Sequence, residues 1–317
     1  MPADAANTRD QPAMLRPVGD APSPIAARLH DCSGFDRLAV VSMPRSGTST
    51  YRTLFAELFG LRPVHAACET DPNVWPKPPR WQPYENDGSI PRLARGEIVC
   101  LHGPPSDHWR AELRESPTTL VVHTYRDARD AALSATRFIR HRPNHLCGPT
   151  FARLAFEDAL ACCLVGCDVP FDDQPAHLQA RNPERLPARF GGYRELAQWS
   201  ERWLAEPYAA HLRYEDLFHS DATASNLAAA LARAGVTIHE TAAERALDRV
   251  SFERLTGRAM GEPKAGEHLE RGLARSWFSE PLSLSTRALS QAVFVAWLER
   301  LGYPADERAP GIDAPPP

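Results

Sequence analysis

Short, continuous apolar runs alternate with segments of helical periodicity along most of the chain. The runs at 38–41, 97–101 and 119–125 have the length and composition of strands that are buried on both faces. Strands and helices that alternate in this way predict a central, mostly parallel sheet with helices on both faces. The same pattern predicts a short strand and turn at 211–217 and helices at 151–167, 193–204, 222–234, 241–250 and 285–301.

A single α/β domain spanning 25–304 is the organisation that this pattern favours. Residues 1–24 are polar and rich in Pro, Asp and Ala, so we expect them to be disordered. The tail 305–317 ends in three prolines and is expected to be flexible. Two proline-rich stretches, at about 62–96 and 141–190, interrupt the regular pattern, because proline blocks long helices. We interpret them as a helical and irregular cap beside the ligand site.

The composition of the chain argues against several classes of function. A net charge of −4 and a pI near 6.3 argue against a dedicated nucleic-acid binder. No apolar run reaches the roughly 18 residues of a membrane span, and the N-terminus lacks the apolar core of a signal peptide. Seven cysteines in such a chain indicate free thiols in a reducing cytoplasm, and the arginine-rich, lysine-poor composition suggests a bacterial source.

Three of these cysteines lie close together, at positions 162, 163 and 167. They lack the C-x-x-C pairs and neighbouring histidines that are typical of a metal site. We therefore expect them to be small buried apolar groups, and we expect the protein to use no metal.

The first predicted strand leads into a loop rich in hydroxyl groups, Met43 to Thr50. Gly47 lets the backbone approach a ligand closely, and Arg45 adds a permanent positive charge. A strand, a tight loop and a helix bring backbone N–H groups and a helix N-terminus against an anion. The sequence therefore predicts a phosphate cradle, with an ordinary strand-to-helix turn as the alternative. It is not a Walker A loop, because no lysine follows Gly47.

Polar residues also follow the next two strands. Arg45, His102 and Arg126 each stand just past the end of a predicted strand. The carboxyl ends of parallel strands meet at one edge of a sheet, where ligands bind. One crevice is therefore expected to receive all three side chains.

Four segments resemble, in order, motifs of the PAPS-dependent sulfotransferases, over about 36–303. The loop Pro44 to Thr50 resembles their 5′-phosphosulfate loop. Arg126 to Ser134 resembles the segment that binds the 3′-phosphate, and Arg213 to Leu217 resembles the segment near the adenine. Arg271 to Trp277 resembles the region that closes over the 3′-phosphate. The resemblance implies a P-loop-like three-layer sandwich with an acceptor-binding cap.

The resemblance also implies site residues. The donor 3′-phosphoadenosine 5′-phosphosulfate (PAPS) would be bound by Arg45, Ser46, Gly47, Thr48, Ser49, Thr50, Arg126, Ser134, Tyr214, Arg271 and Gly272. His102 fills the position of the family's general base, and Arg45 would stabilise charge on the leaving phosphate. The alternatives are a surface salt bridge for Arg126 with Asp127 or Asp130, a core tyrosine at Tyr214, a structural histidine at His102 and an exposed arginine at Arg271.

Some positions depart from the family pattern. Thr50 stands where many members have an adenine-stacking tryptophan, and Ala128 replaces a proline. Glu270 and Arg275 replace an arginine and a glycine of the last motif, so the contacts of that region with the nucleotide are the most open.

The implied reaction is transfer of a sulfuryl group from PAPS to a hydroxyl of a small-molecule or carbohydrate acceptor. An amine is the less favoured acceptor, and the protein would be a monomer or a homodimer. A small-molecule kinase and a non-catalytic nucleotide-binding protein are the rival functions. The kinase would need a loop lysine and a carboxylate that holds Mg²⁺ at a strand end.

Overall fold

The computed structural model describes residues 34–64, 93–105, 107, 111, 117–180, 182–262, 264, 273 and 275–304. Seven strands occur there: β1 (Arg37–Ser42), β2 (Arg62–Val64), β3 (Glu97–Leu101), β4 (Thr119–Tyr125), β5 (Cys167–Val169), β6 (Ala188–Phe190) and β7 (Ala209–Arg213). The expectations for 1–24 and 305–317 lie outside the described residues, as do Arg271 and Gly272.

The described helices are α1 (Thr48–Phe59), α2 (Ala128–Arg140), α3 (Gly148–Arg153), α4 (Phe156–Val165), α5 (Ala176–Gln179), α6 (Gly192–Leu204), α7 (Tyr214–Phe218), α8 (Thr223–Arg233), α9 (Glu240–Arg249), α10 (Phe252–Thr256), α11 (Ser276–Ser279) and α12 (Leu284–Leu301). None of them is both long enough and apolar enough to cross a membrane.

Five strands form one parallel sheet in the order β2-β3-β1-β4-β7. The central strand β1 pairs on one side with β3, with Val41 opposite Leu101, and on the other side with β4. The chain thus reverses direction across the sheet on the two sides of β1. This is the topological position at which such sheets bind ligands, beyond the carboxyl ends of the strands.

Alternate strand residues face two different apolar cores. On one face, Leu38 and Val40 of β1 pack with α1, α7, α8 and α9. On the other face, Ala39 and Val41 pack with Trp203 of α6, and the helices α2, α4, α6 and α12 form the adjoining core. Because both faces are covered, the strands read as continuous apolar runs in the sequence. The α/β prediction with helices on both faces is confirmed.

Two local predictions were wrong: the single helix at 151–167 and the irregular structure at 62–64. The single helix predicted at 151–167 is two helices, α3 and α4, because Leu154 and Ala155 adopt extended ψ angles between them. Cys167 lies beyond α4, in β5, which pairs with β6 in antiparallel orientation. Residues 62–64, at the start of the first proline-rich stretch, form the edge strand β2 of the main sheet.

The clustered cysteines are only partly buried. Cys163 is fully buried and its thiol donates to the Ala132 carbonyl at 3.5 Å, whereas Cys162 and Cys167 are partly exposed. The described residues include no group of three or more His, Cys, Asp or Glu side chains that could hold a metal ion.

Candidate active site

The loop between β1 and α1 has an unusual backbone. Arg45 and Gly47 both adopt positive φ angles, of 65° and 86°. A Cβ at Gly47 would lie 2.8 Å from Cδ2 of Tyr214, so the loop needs glycine both for its φ angle and for its contact with that ring. Gly47 caps α1 without a side-chain hydrogen bond, which leaves the helix N-terminus to a ligand.

Ser46 is the most buried polar residue of this loop. It is fully buried, and its Oγ has no hydrogen-bond partner among the residues that the structure describes. An unpaired buried hydroxyl costs roughly 1–3 kcal/mol, so natural structures keep few of them. An anion bound at the N-terminus of α1 would satisfy this hydroxyl, and the donor set therefore fits a phosphate or sulfate group.

The side chain of Arg45 is held by α2. Its Nε donates to Oγ of Ser134 at 3.2 Å, and its guanidinium carbon lies 4.6 Å from the centroid of the Phe138 ring. Ser134 and Phe138 are four residues apart and therefore share one face of the helix. The guanidinium of Arg142 lies 4.7 Å from the same ring. Phe138 thus contacts two cations next to the loop.

Arg126 connects three segments that are distant in sequence. Its Nη1 donates to the Arg45 carbonyl at 3.3 Å, and its Nη2 donates to the Leu273 carbonyl at 2.6 Å. The guanidinium lies 4.5 Å from the Tyr214 ring centroid and is buried, with Nε unpaired within the described part of the chain. Nη2 also forms an ion pair with the carboxylate of Asp130, at 3.4 Å from Oδ2. The pairing with Asp130 is therefore real but buried, not a surface salt bridge.

Burial alone would lower the pKa of Arg126, but Asp130, Tyr214 and Glu215 raise it above its ordinary value. The guanidinium therefore stays charged. Burial also raises the pKa of the Glu215 carboxyl, which accepts hydrogen bonds from the Asp127 N–H and from the hydroxyl of Tyr303. These contacts hold α7, and with it the Tyr214 ring, against the start of α2.

His102 lies just past β3, and its ring is oriented by Ser42 at the end of β1. Its Nδ1 is 2.8 Å from the Ser42 carbonyl oxygen and 3.3 Å from the Ser42 hydroxyl. A carbonyl can only accept, so Nδ1 carries the proton in the neutral ring and Nε2 keeps its lone pair. The Ser42 hydroxyl in turn meets Oγ1 of Thr48, at the start of α1, at 2.6 Å. His102 is thereby linked, through Ser42, to the start of α1.

Three of the remaining predicted residues lie at the start of α1. Thr48, Ser49 and Thr50 form the first turn of α1, and Thr50 is buried. Arg275, a substitute considered for the last motif, is exposed at the start of α11 with a φ of 57°. The carbonyl of the neighbouring Leu273 accepts a hydrogen bond from Arg126, so the segment that resembles the last motif contacts the one that resembles the 3′-phosphate motif.

Sequence reasoning missed three residues that hold the site. Ser42 orients the ring of His102, and the ring of Phe138 packs against the guanidinium of Arg45. The hydroxyl of Tyr193, in α6, donates to the Pro44 carbonyl at 2.8 Å. Phe138 could have been found from its spacing of four residues after Ser134 on a predicted helix, whereas nothing local marks Tyr193.

Known proteins resemble this chain in structure but not detectably in sequence. No model of a known protein family matches the chain, and no curated protein matches its sequence. The mouse sulfotransferase SULT7A1 complexed with PAP is similar in structure, with a TM-score of 0.52 at 11% identity, over 86% of this chain and 89% of that one. Retinol dehydratase in a complex with retinol and PAP has a TM-score of 0.50 at 16% identity, over 91% of this chain and 86% of that one. The chain therefore has the fold of the sulfotransferases that its motifs resemble.

Proposed function

We propose that this protein transfers a sulfuryl group from PAPS to a hydroxyl of a small-molecule or carbohydrate acceptor, in the cytoplasm of a bacterium. One relationship carries the proposal: Arg126 bonds to the backbone of Arg45, while the side chain of Arg45 bonds to Ser134. The two segments that resemble the 5′- and 3′-anion motifs are thus in direct contact, which supports their binding one nucleotide that carries an anion at each of those positions.

The residues present fit PAPS. Ser46 Oγ and Arg126 Nε are buried donors without a partner in the described chain, and each stands in one of the two segments. Residues 45–50 would hold the phosphosulfate, and Arg126 and Ser134 would hold the 3′-phosphate. Tyr214, against Gly47 and under Arg126, would border the nucleotide. PAPS supplies the activated sulfuryl group.

The chain's own groups would then serve the transfer. Nε2 of His102 accepts the proton of the acceptor hydroxyl as its oxygen attacks sulfur, while Ser42 holds the ring in the required tautomer. Arg45 and the N–H groups at the start of α1 stabilise the charge that develops on the leaving phosphate. The contact of Arg45 with Phe138 limits its rotation and so reduces reorganisation during the step.

Binding of PAP (adenosine 3′,5′-bisphosphate), the expected product, tests the proposal before any acceptor is known. We expect calorimetry to detect PAP binding by the wild type, and Ser46→Ala to weaken it about tenfold or more, the cost of one hydrogen bond to a charged group. Ser290→Ala is the matched control, because Ser290 is also fully buried with an unpaired Oγ but lies on α12. An acceptor screen with PAPS, read out as PAP release, then tests catalysis.

Two results would contradict the proposal. One is a wild-type protein that does not bind PAP, and the other is equal PAP affinity in the wild type and in Ser46→Ala. Turnover of ATP that depends on Mg²⁺ would instead favour the kinase.

A further inference from the structure

A groove of about 420 Å³ lies on α6 and β6, beyond the residues that hold the proposed donor. The side chains that line it include Arg189, Arg194, Glu195, Gln198, Trp199 and Arg202. Five of them belong to α6: three are exposed (Arg194, Gln198 and Arg202), Glu195 is half-buried, and Trp199 packs partly against the core.

The groove is basic although the chain as a whole is acidic. Three arginines line it against the single carboxylate of Glu195, while the net charge of the protein is −4. The side chain of Arg194 is exposed and makes no hydrogen bond or ion pair with any residue in the described ranges. Arg189 approaches Asp168 only at 3.9 Å, with both side chains partly exposed. A loose pair of this kind is worth little, so both guanidiniums can turn to a ligand.

Helix α6 contacts loops of the proposed active site at both of its ends: Arg202 does so from the groove, and Tyr193 and Trp203 do so from the buried face. Near the start of the helix, Tyr193 donates to the Pro44 carbonyl, next to Arg45. Near its end, Arg202 donates to the Pro105 carbonyl at 2.8 Å and Trp203 to the Gly103 carbonyl at 2.7 Å. Gly103 directly follows His102. The helix therefore runs beside both loops between which an acceptor hydroxyl would react.

We propose that this groove binds an anionic group of the acceptor, a carboxylate or a sulfate ester carried on a sugar-sized body. This inference rests on the proposed sulfuryl transfer and names the substrate class of that same site. A guanidinium binds a carboxylate or a sulfate through two parallel hydrogen bonds, which suits Arg189 and Arg194. Trp199 offers a flat apolar surface to a ring, and Gln198 and Glu195 offer hydrogen bonds to hydroxyls.

A matched pair of ligands tests the inference without catalysis. The 4-nitrophenyl β-D-glucuronide and β-D-glucoside differ only in a carboxylate against a hydroxymethyl group. By calorimetry or ligand-observed NMR on the full chain, we expect the glucuronide to bind at least about fivefold more tightly at low salt, with a ratio that falls as salt is added. The 6-sulfated glucoside, measured in the same way, tells whether the groove prefers a sulfate ester to a carboxylate.

The double variant Arg189→Gln/Arg194→Gln should bring this ratio close to one. The control Arg245→Gln/Arg300→Gln removes the same charge from exposed positions on α9 and α12 and should keep the wild-type ratio. Arg202 is left in place because it holds the Pro105 carbonyl. Equal affinity of the wild type for the three glycosides, or an unchanged ratio in the groove variant, would overturn the inference.

PAP affinity measured on the same samples separates the two proposals. PAP binding without a preference for the anionic glycosides refutes the groove and leaves the sulfuryl transfer standing. A preference for the anionic glycosides without PAP binding refutes the sulfuryl transfer and leaves an anion site on α6.

Discussion

Nε of Arg45 donates to Oγ of Ser134 at 3.2 Å, across 89 positions of sequence. The bond ties the loop after β1 to the second turn of α2, and so joins the two segments that are proposed to bind the anions of the nucleotide. Phe138, one turn further along α2, packs against the same guanidinium. The positive φ of Arg45 is rare for a residue other than glycine, and these contacts of its side chain help to maintain it.

We predict that Gly47→Ala destabilises the protein and weakens PAP binding at least about tenfold, because the added Cβ would lie 2.8 Å from the Tyr214 ring. Gly235→Ala is the control, since Gly235 has a similar φ of 80° but a Cβ added there would meet no atom within 4 Å. Thermal unfolding and calorimetry measure the two effects. Equal losses in both variants would show that backbone strain alone accounts for the change.

We predict that Phe138→Leu lowers kcat/KM about three- to thirtyfold, the range expected when one partner of a cation–π contact of about 0.5–2 kcal/mol is removed. Arg45 would then lose the surface that orients it. Phe156→Leu provides the control, because Phe156 also lies near two guanidiniums, those of Arg137 and Arg140, but away from the loop. A Phe156→Leu enzyme as impaired as Phe138→Leu would point to a general loss of packing.

We predict that His102→Gln reduces sulfuryl transfer by about 10²–10⁴-fold while PAP affinity stays within a factor of about two, because the base is lost and the donor contacts remain. Steady-state kinetics and calorimetry on one preparation measure both. His141→Gln, at an exposed position after α2, is the control. Full turnover by His102→Gln would remove the assigned base.

We predict that the protein loses stability as the pH falls below about 6.5, the ordinary pKa of histidine. Burial, reinforced by His211, lowers the pKa of His123 well below that value, so the folded state holds a neutral ring that accepts protons only on unfolding. Burial likewise lowers the pKa of His145 to about 4. The stability contribution of these histidines is present above the unfolded pKa and is lost on acidification.

His123→Gln isolates one part of this effect. Nε2 of His123 meets Ser200 Oγ at 2.8 Å and Nδ1 meets His211 at 3.4 Å, and glutamine can keep the bond to Ser200 without titrating. The fall in Tm between neutral and mildly acidic pH should be smaller by about 2 °C than in the wild type, and His239→Gln, at an exposed position, should leave it unchanged. Identical pH slopes in all three proteins would contradict the assignment.

Much of the site could be read from local chemistry. Arg45, His102 and Arg126 were predicted to meet because each follows a strand of one parallel sheet, and the contacts of Arg45 and His102 with neighbouring segments agree with that placement. Their roles with PAPS stay predictions. The break between α3 and α4 was missed because no proline or glycine stands at Leu154, where the chain changes conformation.

The sequence by itself determined the sheet and the tight, hydroxyl-rich loop between β1 and α1. A strand buried on both faces must be continuously apolar, and a tight anion-binding turn needs glycine and hydroxyl residues at adjacent positions, so both leave a local signal. Only the tertiary structure decided which side chains support the loop. The bond from Tyr193 to Pro44 spans 149 positions, and the groove on α6 depends on which helix faces remain uncovered after packing. Such contacts follow from how helices pack across the sheet, and no short stretch of sequence encodes them.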